Sequence, residues 1–305
     1  MIRRLMTFLS VALFALAALA GGVAADGLPG PLVSTEWLRA NLGREDLVVI
    51  DTRGRSADDA FAAGHVPGAV WSAYPGSWRG VGDIAGAVPD AATLGASIAA
   101  LGVNTDSLVV IVPAGSSSSE FGGAARVHWS LRYAGHDAVG VLDGGWQAWA
   151  ADAANPVVSG PPSVLQGDFT ARIRPQFLAS TEQVEAALAA GIPLLDARPA
   201  EQYAGAEKAG AAKRAGHIPG AISLDNATFY DAATNRIKPL DDLRALVPAV
   251  LGETGVQAIT YCNAGHWSAT EWFVLHELLG YENLSLYADS MIGWTQDDAR
   301  PVATQ

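Results

Sequence analysis

The 305 residues are enough for two domains of ordinary size. Half of them are hydrophobic and 16% are charged, with 33 Gly and 16 Pro; this describes a globular chain rich in tight turns and excludes a disordered or fibrous one. The net charge of −12 comes with no basic patch or stripe, which argues against nucleic acid as a partner, because phosphate binding needs clustered Lys and Arg.

The first 25 residues stand apart. Arg3 and Arg4 precede an apolar run over residues 5–20 that holds only Thr7 and Ser10 as polar side chains, and Val23, Ala24 and Ala25 follow. A basic end, an apolar centre and small residues at a cleavage point describe a secretory signal peptide over residues 1–25. The alternative, an uncleaved anchor helix, is disfavoured because the run is short for a full span. The expectation is an exported, periplasmic protein that is soluble and free of the membrane once the signal is removed. Removal takes Arg3 and Arg4, leaving 17 basic against 31 acidic side chains. A single cysteine, Cys262, rules out an internal disulfide, so the fold must stand on its core.

In chain order, Ser34-Thr35-Glu36 opens a helical pattern over residues 37–42, with the serine at the N-cap. The apolar run Leu47–Asp51 follows, reading as a buried parallel strand that ends in an acid, and Arg53 lies two residues beyond. Then come the phrase Gly64-His65-Val66-Pro67-Gly68-Ala69, a second strand at Leu108–Val112, a helix closing near Gly135, a third strand at Val139–Leu142, and Trp146.

The same succession recurs 145 to 148 residues later. Ser180-Thr181-Glu182, with Gln183 completing a capping box, opens a helix over residues 184–190. A strand over residues 192–196 ends in Asp196, with Arg198 beyond; Gly216-His217-Ile218-Pro219-Gly220-Ala221 repeats the earlier phrase. Strand Ala258–Tyr261, a helix over residues 269–279 closing near Gly280, a strand over residues 284–287 and Trp294 complete the copy. The larger offset of 152 between His65 and His217 marks an insertion around residues 207–214. This is a duplication. Strands alternating with helices predict the α/β class: two tandem domains, each a parallel sheet flanked by helices and joined by right-handed crossovers. The boundaries read as 26–154 for the first domain, 155–168 for a linker rich in Pro, Gly and Ser, and 169–305 for the second.

Cys262 sits directly after a strand and before the loop Asn263-Ala264-Gly265-His266-Trp267-Ser268 and a helix. Ligands of open α/β sheets bind outside the carboxyl ends of the strands. Loop amides and a helix N-terminus favour negative charge, which lowers a thiol's pKa and raises its thiolate fraction. A buried, inert cysteine is the bland alternative, and the position argues against it.

On the paired Asp-x-Arg strand ends, the paired Gly-His-x-Pro-Gly-Ala phrases and the strand–Cys262–loop–helix unit, the chain resembles the tandem-domain rhodaneses, the thiosulfate and 3-mercaptopyruvate sulfurtransferases. The resemblance covers everything after residue 25. It implies that only the second domain is catalytic, with Cys262 carrying sulfur as a persulfide. It also implies a small-molecule sulfur donor, an acceptor that is a thiol, cyanide or a protein, and no cofactor or metal. The first copy agrees, because its counterpart loop over residues 113–119 holds Pro, Ala, Gly and four serines but no cysteine.

The resemblance further implies that Arg198 reaches the donor's anionic group, a structural ion pair being the alternative, while Arg53 takes the structural role. Asn263, Ala264, Gly265, His266, Trp267 and Ser268 are expected to line the substrate site; His266 is open to adding a titratable positive charge near the sulfur or donating a hydrogen bond to substrate, Trp267 to walling the pocket, and each to packing at the loop's rim. His65 and His217 read as turn histidines. Mercaptopyruvate-type relatives pair the first of these with a serine two residues after the cysteine; Ala264 stands there instead. A phosphatase of the same fold would need a cationic clamp where Ser268 stands. A non-catalytic carrier of persulfide sulfur is the remaining alternative.

Overall fold

In the computed structural model, which describes residues 27–304 apart from 55, 56, 81, 83, 85, 162 and 253, each repeat builds one parallel sheet. The expected signal peptide lies outside the described residues. The first unit runs β1 (Leu32–Val33), α1 (Thr35–Asn41), β2 (Leu47–Asp51), α2 (Asp58–Ala63), β3 (Val70–Trp71), α3 (Ala91–Ala99), β4 (Leu108–Val112), α4 (Ser118–Tyr133), β5 (Val139–Leu142) and α5 (Gly145–Ala151). Its strands lie in the order β1-β5-β4-β2-β3. The central strand β4 is buried at every residue, which is why its sequence shows an unbroken apolar run and no alternation.

The second unit runs α6 (Thr181–Ala190), β6 (Leu194–Asp196), α7 (Ala200–Tyr203), β7 (Ile222–Ser223), β8 (Tyr230–Asp231), β9 (Arg236–Ile237), α8 (Leu240–Leu246), β10 (Ala258–Tyr261), α9 (Trp267–Trp272), β11 (Leu284–Leu286) and α10 (Ser290–Trp294). Its parallel order β11-β10-β6-β7 repeats that of the first sheet, and the place of β1 is reduced to a single bridge from Leu178 to Leu286. The short antiparallel pair β8–β9 has no counterpart among the described residues of the first unit. Ser34 accepts from the Trp37 amide, and Ser180 with Gln183 forms the full capping box, each cap worth about 1 kcal/mol. The helix read from Ala269 onward starts earlier, at Trp267, and passes into a π-helical stretch at Phe273–Leu278.

Two boundaries differ from the sequence reading. The expected linker is not a free connector. Val158 pairs with His65, and Pro156 accepts from the Trp149 indole, so these residues complete the first unit. In the second unit Ala303 pairs with His217 and Pro301 accepts from the Trp294 indole. Trp294 therefore corresponds to Trp149, not to Trp146. Further along, Gly167 and Phe169 bond to carbonyls at the end of α3 and just beyond it, and Arg172 to the end of α4. The connecting chain is laid along the first unit as far as Arg174, and Leu178 and Ala179 then join the second sheet at Leu286.

The two units share one hydrophobic core. Phe121 and Phe273 meet edge to face with ring centroids 5.4 Å apart, and His128 stands against Phe273 at 4.9 Å, where α4 crosses α9. Gly122 permits this approach, since a Cβ there would lie 3.2 Å from the His266 ring; a Cβ at Gly123 would lie 3.0 Å from Tyr74 of its own unit. The C-terminal end of β10 opens onto this contact.

Candidate active site

Cys262 follows β10 at the centre of the second sheet, and the chain then turns through Asn263, Ala264 and Gly265 (φ +67°) into α9. The loop is held from below by the turn into α10. The Met291 and Ile292 amides donate to the carbonyls of Cys262 and Asn263, and Ser290 Oγ accepts from the Cys262 and Gly265 amides at 3.0 and 3.2 Å. Ser290 is fully buried and has φ +52°, a left-handed conformation that costs a residue with a Cβ about 1–2 kcal/mol.

This support turns other loop amides inward. Burial pushes the Cys262 thiol up. The Ser268 hydroxyl at 3.5 Å and the amides of Ser268, Ala264 and His266 outweigh that, so the thiol lies below its ordinary value. The sulfur, in a residue 1% exposed, is thus buried together with hydrogen-bond donors that favour its charged form. Nearby, Glu271 is buried, accepts from the Thr260 hydroxyl and is pushed well above the carboxylate range by burial, which keeps it uncharged beside the thiolate. The insertion over residues 207–214 packs Ala212 against Ala264 and Ile292, covering part of the loop.

The loop residues divide their roles. Ala264, His266 and Ser268 direct amides at the sulfur, whereas the Gly265 amide goes to Ser290. The Asn263 side chain donates to Gln202 Oε1 at 2.7 Å. Trp267 donates its indole N–H to Ser119 Oγ at 3.4 Å, placing it against the first unit. Arg198, expected to reach for the donor's anion, is 1% exposed and gives Nε and Nη2 to both oxygens of Asp196, with Nη2 also on the Gly216 carbonyl. Arg53 makes the same grip on Asp51 and the Gly64 carbonyl. The geometry at Arg198 is thus the structural ion pair. His65 and His217 place Nδ1 on the carbonyls of Phe61 and Tyr203 at 2.8 Å and stack on the same two rings, in keeping with a turn role.

Of the roles open to His266, the titratable charge is the one its surroundings remove. Its ring points to the first unit, where Nδ1 meets Tyr74 Oη at 3.1 Å and Nε2 meets Ser119 Oγ at 3.2 Å. Burial and the nearby Arg79 cation lower it to about 4, so it is neutral at physiological pH and supplies no titratable positive charge there. Arg79 donates to Tyr74 Oη through both Nε and Nη2. A guanidinium has no acceptor, so the tyrosine proton is assigned to His266 Nδ1 and the ring donates from Nε2 to Ser119. A cavity of about 80 Å³ borders this chain of bonds, lined by Thr52, Tyr74, Ser119, Glu120 and His266.

Arg126, from α4 of the first unit, is fully buried and donates from Nη1 to the Gly265 carbonyl at 3.0 Å and from Nη2 to the Gly86 carbonyl at 3.1 Å. Sequence reading missed Tyr74, Ser119, Arg126 and Ser290. For Ser290 a signal existed: at the 145-residue offset of the repeat it stands opposite Gly145.

Comparison with known proteins agrees with this arrangement. The rhodanese-like domain profile matches residues 34–152 and 180–297. A Pseudomonas aeruginosa protein named probable 3-mercaptopyruvate sulfurtransferase is 33% identical over 288 residues, covering 90% of this chain and 98% of its own. A thiosulfate sulfurtransferase of the same organism is 30% identical over 271 residues, covering 87% of this chain and 94% of its own. The crystal structure of the 3-mercaptopyruvate sulfurtransferase SseA from Escherichia coli superposes with a TM-score of 0.74 at 24% identity, covering 86% of this chain and 98% of that one, and so shares the fold. The chain belongs to the rhodanese-like family, as a sulfurtransferase with two tandem rhodanese-like domains.

Proposed function

We propose that the protein moves sulfane sulfur from thiosulfate or 3-mercaptopyruvate to a thiophilic acceptor through a persulfide on Cys262. The observation that carries this is the convergence of three amides and the Ser268 hydroxyl on one sulfur at the end of β10. The Cys262 thiolate attacks the donor's outer sulfur, forming an S–S bond. The donor's own bond to that sulfur breaks, and its electron pair leaves with sulfite, or with the enolate of pyruvate, which takes up a proton. The terminal persulfide sulfur carries the negative charge, which the same donors stabilise. A thiol, cyanide or protein nucleophile then attacks that sulfur, and the thiolate returns.

Initial rates of thiocyanate formation with each donor and cyanide test the reading. Many turnovers are expected, and Cys262→Ser should reduce them to background while the unfolding temperature stays close to that of the parent. A serine variant that keeps most of the rate refutes the mechanism. Sulfur loaded once with no further turnover would instead favour a carrier. Export to the periplasm is part of the same proposal, supported by the sequence of residues 1–25. A mature N-terminus found near Asp26 in the periplasmic fraction is the expected result, and an intact Met1 in the cytoplasm would refute it.

A further inference from the structure

The Gly265–His266 peptide links two groups. Its C=O, on Gly265, accepts from Arg126 Nη1 at 3.0 Å, and its N–H, on His266, is among the loop amides that favour the charged Cys262 sulfur. A cation bonded to a peptide oxygen polarises the unit and strengthens the donor at its other end. The contact is tight: a Cβ at Gly265 would lie 2.3 Å from Nη1.

Arg126 has no carboxylate partner among the described residues. Its other bonds among the described residues are to the Gly86 carbonyl and the face of Trp129 at 5.1 Å, and its Nε has no hydrogen-bond partner among them. A buried cation left without an anion is costly. Burial lowers Arg126 only to about 10, so it is charged at neutral pH. Among the described residues no other cation is bonded to a carbonyl of the loop, and Arg79 is turned to Tyr74. On β6, Asp196 and Arg198 neutralise each other. Tyr261 and Tyr74 are pushed up by burial and stay uncharged, as does Glu271 on α9. His266 is neutral, Arg79 is bonded to Tyr74 Oη, and Asp225 caps the turn that begins at Asn226. Asp289, before α10, is raised by burial and feels Arg126 as its opposing charge.

We propose that Arg126, borne by the copy that has no cysteine, is a positioning residue that holds Cys262 ionised by polarising the Gly265–His266 peptide. Residues 263–268 hold no Lys or Arg, so the cation comes from the other unit and makes thiolate formation depend on the docking of the two units. The inference rests on Cys262 being the sulfur carrier. Its test reads ionisation and not sulfur transfer, so the two readings fail separately.

The chain has one cysteine, so the pH titration of thiolate ultraviolet absorbance in the full-length protein, with Cys262→Ser as the blank, reports this group alone. Arg126→Gln is expected to raise the apparent pKa by about one unit, leaving about tenfold less thiolate at a pH below it. Arg126→Lys, which keeps the charge, should stay within about 0.3 unit of the parent. Circular dichroism establishes that each variant is folded. A folded glutamine variant that titrates like the parent overturns the proposal. So does a folded lysine variant that rises by a full unit, and that arm decides the matter if the glutamine variant does not fold.

Discussion

The loop after β4 and the loop after β10 are the same backbone device carrying different chemistry. In the first unit Trp146 and Gln147 donate to the carbonyls of Pro113 and Ala114; in the second Met291 and Ile292 donate to those of Cys262 and Asn263. Pro113 stands where Cys262 does. Beneath the loop, the first unit has Gly145 at φ +57° and the second has Ser290 at φ +52°. A Cβ at Gly145 would lie 2.4 Å from the Pro113 oxygen, whereas the second loop stands far enough off to admit a hydroxyl that binds two of its amides. The scaffold is common to both units, down to the Asp-x-Arg grip. What distinguishes the cysteine-bearing unit is one sulfur, its ring of donors and the strained serine beneath them. The unit without a cysteine still reaches this loop, through Arg126, Tyr74 and Ser119.

The largest effect should come where the units are alike. Arg53→Met and Arg198→Met each strand a buried aspartate, and each should destabilise its unit by about 3–5 kcal/mol in urea unfolding. If the two arginines are equivalent, folded Arg198→Met should keep the donor KM within about twofold. A large KM rise confined to Arg198→Met would break the equivalence and return a substrate role to that residue. A smaller effect should come where the units differ. Ser290→Gly loses the hydroxyl but relieves the left-handed strain, so kcat should fall about tenfold while stability changes by about 1 kcal/mol or less. An unchanged kcat would show that the Ser290 hydroxyl does not hold the reactive geometry.

A dependence on pH tests the contact between the units. Burial lowers His128 and His266 from 6.5 to about 4, so between these values the unfolded chain binds protons that the folded one does not. Stability should therefore fall as pH drops through that window, each histidine adding a slope of about 1.4 kcal/mol per pH unit. Urea midpoints at pH values across the window measure it, and His128→Phe should flatten the curve. A parent curve that is flat there would mean these rings are not sequestered at the interface.

Much of the scaffold was legible because its determinants are local. Apolar runs ending in Asp51 and Asp196, caps at Ser34 and Ser180, and the position of Cys262 after a strand all lie within a few residues of what they specify. The partners of the loop were not legible, because Arg126 and Gly265 are 139 residues apart and Tyr74 and His266 are 192 apart. Local pattern holds no record of such pairings. Arg198 illustrates a different limit, since one Asp-x-Arg spacing serves a substrate arm or an ion pair equally well and only the direction of the side chain decides.

The edge segments that pair with His65 and His217 do the same work in the two units. Pro156 and Val158 hold the Trp149 indole and the His65 backbone, and Pro301 and Ala303 hold the Trp294 indole and the His217 backbone. Replacing residues 301–303 with glycine and serine would thus release the indole of Trp294 and the backbone of His217 together, loosening the cysteine-bearing unit and leaving its sister clasped.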